Sequence, residues 1–588
     1  LSDIMRTRTV TLDPTAAAFP EGWRVSDLGP THFIGIGGAG MSVLAEMLSQ
    51  SGVHVSGSDR QASEKTARLE DAGISVHIGQ DPENVRDAAV VVYSSAVKPD
   101  NPEILAAADL SVPIVHRSDI LDLLMRGKRS VTIAGAHGKT TTSSLIAHIL
   151  RSSRTPGLAD PGYAIGGTIQ GPDGTTLDGG HAGTGDVLVA EADESDGSFL
   201  KYHPSIAVIT NAEADHLDHY GTAEAYHQAF VSYAGHAVDR LVIGVDDEGA
   251  REVLEKLDQA TVERTVVYTT ANADGLGDLR GASVVRIESE TESTGSGRER
   301  FTVVLPEGLV TAEDRDRGDI RIPVALSIPG VHNARNATAA IIVATLLGMD
   351  PRAAAAAAET FLGASRRFQR RGEEKGVQVF DDYAHHPTEV AALLHAARRR
   401  FPDSRIRVLF QPHLFSRTRF FASDFARALS LADDVIVTGI FPARERQEDY
   451  PDVTADTIVA AARGMKNPGA ADQDVVVADA TALDSTTLDA TDQESASSDR
   501  SARGGRSARG GRSAAWGTPC AWRPGERRFG RMDSGRRGYA PRGSDDGHAC
   551  PQGRCDLHCG GRRHHRYGSG DHPCPSGASR DMRGVTYA

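Results

Sequence analysis

Twice in its N-terminal quarter the chain runs from a short apolar strand straight into a glycine loop and out into a helix. The first unit is Thr31–Ile34, then Gly35-Ile-Gly37-Gly38-Ala-Gly40, then a helix from Met41 to Gln50. The second is Ser130–Ala134, then Gly135-Ala136-His137-Gly138, then a helix from Thr141 to Arg151. Strands that hand over to helices in this way belong to parallel, doubly wound sheets. Further strands are predicted at Val53–Ser56, Ala89–Tyr93, Pro113–Val115, Val187–Ala190, Ile206–Thr210 and Arg240–Val245, and a helix at Asn333–Leu347. A third alternating block runs from Gln378–Asp381 through Val408–Phe410 and Val435–Val437. The expected fold class is therefore α/β, with three serial α/β domains.

At 588 residues the chain is too long for a single core, which agrees with several domains. A formal net charge of −15 argues against nucleic acid as the main partner. No run of apolar residues is long enough to span a bilayer, and the N-terminus lacks a secretory pattern, so neither membrane insertion nor export is expected. The expected compartment is the cytoplasm. All 5 cysteines lie near the C-terminus, from Cys520 onward.

The glycines Gly35, Gly37, Gly38 and Gly40 let a backbone approach a diphosphate, which the N–H groups and partial positive charge of the following helix then favour. Asp59 closes the next strand, where a dinucleotide enzyme carries its ribose-reading acid. Gly135, Ala136, His137, Gly138, Lys139, Thr140 and Thr141 form a second phosphate loop. Its Lys139 neutralises nucleotide phosphates and its Thr140 hydroxyl sits on Mg2+. The commoner, longer form of this loop has glycine where this chain has Ile133, so only the shorter pattern is met. A dehydrogenase needs the first loop alone and a simple ATPase the second alone. Both together suggest that a nucleotide-linked substrate meets ATP.

Acids at strand ends in a nucleotide domain are where a metal ligand is expected. Glu191 leaves its strand first in Glu191-Ala-Asp193-Glu194-Ser-Asp196, and His216 follows the next strand in Asn211-Ala-Glu-Ala-Asp215-His216. Asn333 and Asn336 open a helix, where an amide either caps the backbone or reads an adenine edge. Arg366-Arg367-Phe368 and Asp381-Asp382-Tyr383-Ala-His385-His386-Pro387-Thr388-Glu389 open the third block and place a cation and a carboxylate to reach across a cleft. Read as strand residues, His385 and His386 point to opposite faces, which argues against a zinc site.

In this order the six motifs resemble the Mur ligase family over roughly residues 31–480. Within it, Gln411-Pro-His413, Ser-Arg417-Thr-Arg419 and Phe441-Pro-Ala-Arg444-Glu445 resemble the branch that adds L-alanine. The branch that attaches a tripeptide to the same sugar nucleotide is the nearest alternative. The resemblance implies an ATP-dependent amide ligase acting on UDP-N-acetylmuramate and L-alanine through an acyl phosphate, with ATP and Mg2+ as cofactors. It implies catalytic roles for Lys139, Glu191, His216 and Arg367. The metal ligands would be Thr140, Glu191 and His216. ATP would meet residues 135–141, Asn333, Asn336, Arg367 and Asp382, and the UDP-sugar would meet Gly35, Gly37, Gly38, Gly40 and Asp59. His386, His413 and Arg417 are candidates for the amino-acid substrate. Some relatives carry a carbamylated lysine in the central domain, but this chain has no lysine between Lys201 and Lys256, as the L-alanine branch would show.

The expected boundaries are a loosely ordered leader at 1–30, a Rossmann-like UDP-sugar domain at 31–126, a central P-loop ATPase-like domain at 127–364 and a Rossmann-like C-terminal domain at 365–490, followed by an aberrant, disordered tail at 491–588. Leu1 is read as a non-ATG start translated literally. In the tail, Ser-Ala-Arg-Gly-Gly-Arg repeats at Ser501 and Ser507 and hydrophobic periodicity is lost. Cys555 and Cys559, with His558, His564 and His565, imitate a zinc site. Back-translating His564–His572 and shifting one nucleotide permits a sequence resembling the end of the family's last domain. A reading-frame break between about 480 and 550 explains both features. It would cost the third domain its final strand and helix, and a catalytically inactive nucleotide-binding product is the alternative it raises. A nicotinamide-dependent oxidoreductase using only the first loop is a third reading.

Overall fold

The computed structural model describes residues 10–171, 175–271, 279–289, 298–309, 318–443, 445–464, 475–477 and 583–587. Its three large sheets follow one another along the chain. The first is five parallel strands in the order Ser75–Ile78, Val55–Asp59, Thr31–Ile34, Val90–Tyr93, Ile114–His116. Thr31–Ile34 and Val90–Tyr93 are buried at every position, as strands covered on both faces require. Successive connections leave Thr31–Ile34 in opposite directions, so the glycine loop after Ile34 opens at the switch point of the sheet.

The second sheet has ten strands, in the order Gly180–His181, Gly162–Ala164, Val187–Glu191, Arg129–Ala134, Ile206–Ile209, Arg240–Gly244, Thr265–Thr269, Ser283–Ser289, Glu299–Leu305, Ile320–Leu326. Arg129–Ala134 lies between Val187–Glu191 and Ile206–Ile209, parallel to both. That single fact places Glu191 and the segment after Ile209 on either side of the phosphate loop. The helices Lys139–Arg151 and Val331–Leu346 share one core with these strands, built on residues such as Val131, Ile133, Leu145, Val189, Val208 and Ile341.

The third sheet runs Gln369–Glu374, Val377–Asp381, Arg583–Tyr587, Arg405–Phe410, Asp434–Val437, Val475–Val477. Arg583–Tyr587 is parallel to both neighbours. This corrects the expectation that everything after 490 stands outside the fold. The repeat and the Cys/His cluster of the tail, and Arg444, lie outside the described residues.

The leader is a second correction. Its residues from Val10 onward are tied down rather than loose. Phe19 is buried and stacks on Trp23 with ring centroids 5.6 Å apart. Arg126 donates to the carbonyl of Pro20 at 2.8 Å, Lys201 to that of Ala16 at 3.2 Å, and the Asp119 carboxylate accepts from the Ala18 N–H at 3.2 Å. Proline-rich composition suggested a loose segment, but two aromatic anchors and three polar ties outweigh it.

Candidate active site

The phosphate loop is held in shape by the neighbouring strand end. The carbonyl of His137 accepts from the Thr210 hydroxyl at 2.6 Å and from the Asn211 amide at 2.8 Å, and the His137 N–H donates to Asn211 at 3.2 Å. Gly138 has φ +86°, and a Cβ there would lie 2.7 Å from Asn336 Oδ1, so glycine is required for two reasons. The same contact places Asn336 against the loop. Asn333 instead donates to the Pro329 carbonyl at 2.7 Å and acts within its own helix start.

Lys139 donates to the Gly135 carbonyl at 2.6 Å and to both oxygens of Glu194 at 2.8 and 3.0 Å. Burial disfavours its charge, but Glu194 and Asp193 outweigh that and raise its pKa. Glu194 is fully buried, and His216 Nε2 lies 3.7 Å from it. His216 itself sits at φ +52°, a left-handed conformation costly for a non-glycine residue. Glu191 accepts from the Gly166 N–H at 2.9 Å. Burial raises its pKa, against the pull of Gly166, Lys139, the Thr140 hydroxyl and Arg367. A hydroxyl and a carboxylate side by side, next to a lysine, suit a hard divalent cation such as Mg2+. Lys139, Thr140 and Glu191 therefore lie together, while His216 stands beside Glu194.

The third domain meets them through Arg367. It lies between Arg366 at φ +56° and Phe368 at φ +48°, two more left-handed residues. Its guanidinium is 3.5 Å from Glu389. Asp382 accepts from the Phe368 N–H at 2.6 Å and the Ala384 N–H at 2.8 Å. Burial pushes its carboxyl up to about 6 against the opposing pull of Arg367. His386 occupies the N-cap position of the helix Pro387–Arg400 without a hydrogen bond from its ring, and Glu389 accepts from the N–H groups of His385 at 3.0 Å and His386 at 3.2 Å. The strand-based argument about the His pair therefore fails, because His386 starts a helix.

Of the residues assigned to the amino acid, Arg417 donates to Asp215 at 3.1 Å and lies 3.5 Å from His413 Nδ1. Burial would raise the Asp215 carboxyl, but Arg417 and His216 hold it well below the usual range. His386 stands beside His137, with ring centroids 4.8 Å apart. Burial pushes the His386 imidazole down to about 4.

The glycine loop of the first domain forms a separate site. Gly37 N–H donates to Asp59 Oδ2 at 2.9 Å, so Asp59 braces the loop. Arg117, which the motifs did not single out, bridges the two centres. A Cβ on Gly40 would lie 3.1 Å from its Nη1, and its Nη2 donates to Asp193 at 2.7 Å. Glu194, Glu213 and Glu389 were likewise missed as ion partners. Spacing could not reveal them, since each pairing joins segments far apart in the chain.

The arrangement defines a class: multidomain α/β proteins with a glycine loop at the strand ends of the first domain and a Gly-Lys-Thr loop at those of the next. Residues 30–129 match the Mur ligase family catalytic domain, 133–344 the Mur ligase middle domain and 366–494 the Mur ligase glutamate ligase domain. The UDP-N-acetylmuramate–L-alanine ligase of Bifidobacterium adolescentis is 64% identical over 464 residues, covering 79% of this chain and 88% of that protein. That of Thermobifida fusca is 45% identical over 442 residues, covering 74% and 87%. Among solved structures, the UDP-N-acetylmuramate-alanine ligase of Thermotoga maritima aligns with TM-score 0.57 at 29% identity, covering 76% of this chain and 90% of that one. The chain belongs to the Mur ligase family. Among the described residues no helix is long and apolar enough to cross a membrane.

Proposed function

We propose that this chain is an ATP-dependent ligase that joins L-alanine to the carboxylate of UDP-N-acetylmuramate, a step in making peptidoglycan precursors. The observation that carries the reading is the convergence of Lys139, Thr140 and Glu191 from the central domain with Arg367 from the third. The 64% identity to a ligase of that name over most of its length supports the same substrates.

In this reading the helix start after Gly38 and Arg117 hold the diphosphate of the sugar nucleotide, while the loop from Gly135 to Thr141 holds the phosphates of ATP. Thr140 and Glu191 fit Mg2+, with His216 placed for a second such ion, and the metal when bound would offset the negative charge between carboxylate and γ-phosphate. Lys139 turns from Glu194 to the phosphates. Arg367 approaches the γ-phosphate from the opposite side, so two cations flank the group being transferred. Asp382 accepts from the ribose hydroxyls. The carboxylate attacks the γ-phosphate to give an acyl phosphate as ADP leaves; the amine of L-alanine then adds to its carbonyl carbon, gives up a proton to water, and phosphate leaves. Arg417, beside His413 and His386, orients the carboxylate of the incoming amino acid. The third domain covers the acyl phosphate and excludes water.

The test is phosphate release with UDP-N-acetylmuramate and Mg-ATP, with L-alanine, glycine or the tripeptide as amine. Release fastest with L-alanine supports the proposal. Preference for the tripeptide would move the chain to the recycling reaction, and no release from folded protein would make it an inactive relative.

A further inference from the structure

Three side chains from three segments converge beside the phosphate loop without belonging to the Mg2+ set. They are His137 of the loop, Glu213 after the Ile206–Ile209 strand and His386 at the start of the Pro387–Arg400 helix. One ligand atom from each lies within 4.8 Å of the other two. His137 Nε2 is 3.1 Å from Glu213 Oε2, and His386 Nδ1 is 3.9 Å from Glu213 Oε1.

A second observation points to a ligand. His386 is 2% exposed, yet neither of its ring nitrogens has a hydrogen-bond partner, which is rare for a buried polar group. A third is the outer ring of contacts. Glu389 Oε1 lies 3.4 Å from His137 Nδ1, the nitrogen facing away from the cluster, and Thr388 donates to Glu213 Oε1 at 2.6 Å. A carboxylate behind a histidine and a hydroxyl behind a carboxylate are how metal-binding side chains are oriented.

We propose that His137, Glu213 and His386 bind a zinc-class divalent cation that ties the third domain to the phosphate loop. Two imidazoles and one carboxylate select Zn2+, Co2+ or Ni2+ over Mg2+, which prefers oxygen alone. Tetrahedral zinc with ligand bonds of 2.0–2.1 Å sets its ligands about 3.3 Å apart. Glu213 already stands 3.1 Å from His137 and 3.9 Å from His386, so most of that contraction falls between the two imidazoles. The cation draws His137 toward His386 and so joins the loop to the start of the Pro387–Arg400 helix. The binding stands on geometry alone. Only its effect on turnover rests on the ligase reading.

The experiment uses the full chain with its cysteines alkylated and no nucleotide present. Zinc uptake is measured by equilibrium dialysis in wild type, His386→Ala, Glu213→Gln and Thr388→Ala. Wild type should bind one zinc more than His386→Ala at micromolar free metal. Ligand substitutions should weaken that zinc at least about 100-fold, and Thr388→Ala about 10-fold, the range for outer contacts. Added zinc should raise the melting temperature of wild type but not of His386→Ala. Equal uptake and affinity in wild type, His386→Ala and Glu213→Gln, all folded by circular dichroism, would overturn the proposal and assign the metal to other residues. Because dialysis needs no substrate, an extra zinc without phosphate release would leave this site standing while removing the ligase.

Discussion

Asp382 carries the clearest pH signature at the level of single residues. Folding raises its carboxyl from 3.8 to about 6, chiefly through burial. The folded chain therefore takes up this proton first on acidification. The unfavourable contribution of the buried charge is fully present above pH 6 and is relieved as pH falls toward 4. The proposed role in holding the ribose runs the other way, because only the ionised form could accept two hydroxyls. The KM for ATP should rise as pH drops below about 6, with kcat less affected. Asp382→Asn should raise KM about 10- to 100-fold, from the loss of charged hydrogen bonds worth about 1.5–3 kcal/mol, and abolish that inflection. An inflection that survives in Asp382→Asn belongs to another group.

Lys139 illustrates what was and was not legible at this scale. Its role followed from one loop motif, because helix N-terminus, glycine and lysine are adjacent in sequence. Its resting partner Glu194 lies 55 residues away and is fully buried. Glu191 was singled out as first from its strand, whereas Arg117 carries no motif and Glu389 closes one without a role of its own, because their partners lie elsewhere in the chain. Breaking a buried pair leaves one charge uncompensated, at a cost of about 3–5 kcal/mol. Glu194→Gln should therefore lower the melting temperature of the ligand-free protein. Mg-ATP should recover more of that loss than it adds to wild type, since phosphates then neutralise Lys139. Equal stabilisation of both proteins by Mg-ATP would show that Lys139 does not change partners.

Among the elements, strands and helices of the three blocks were readable because apolar runs of four to six residues alternate with helices. Observed ends differ from the expected ones by a residue or two, as at Arg129–Ala134 and Val331–Leu346. Arg583–Tyr587 was not readable. Arg-Gly-Val-Thr-Tyr lacks the continuous apolar run of a central parallel strand, and nothing local marks it as one. It nonetheless fills the place between Val377–Asp381 and Arg405–Phe410 over five residues on each side. Deleting residues 583–588 would leave the facing edges of both strands without partners. The expected result is faster proteolysis within 366–464, while a fragment spanning the first two domains persists. A digestion pattern identical to that of the full chain would mean that this strand does not support the sheet.

Across the whole molecule, the middle domain is the hub. It meets the first domain through Arg117–Asp193 at 2.7 Å, Ser95–Asp196 at 2.5 Å and Arg68–Asp178 at 2.6 Å. It meets the third through Arg417–Asp215 at 3.1 Å, Arg399–Glu299 at 2.9 Å and Thr388–Glu213 at 2.6 Å. Composition and spacing could place three domains in series but not these contacts, each of which joins segments far apart in the chain. Arg417–Asp215 differs from the rest in having both side chains nearly buried, at 7% and 11% exposed. Screening by salt should hardly reach it, whereas Arg68–Asp178, at 36% and 44%, is open to ions. Replacing Arg417 by Ala removes the strongest charge that holds the Asp215 carboxyl down and leaves this nearly buried group only His216, through its ring and its backbone N–H. With about 3 kcal/mol lost at the interface, amide hydrogen exchange in Phe415–Phe420 and Leu217–Tyr220 should quicken up to about 100-fold. Wild type should show the same protection in 50 mM and about 500 mM salt, if the pair is shielded as its burial indicates. Turnover separates two roles for the arginine. A purely structural clasp would lower kcat for every amine alike, whereas contact with the amino-acid carboxylate would raise KM for L-alanine and leave KM for ATP nearly unchanged. Unaltered exchange together with raised KM for L-alanine would show that Arg417 serves the substrate and that the domains are held by the remaining contacts.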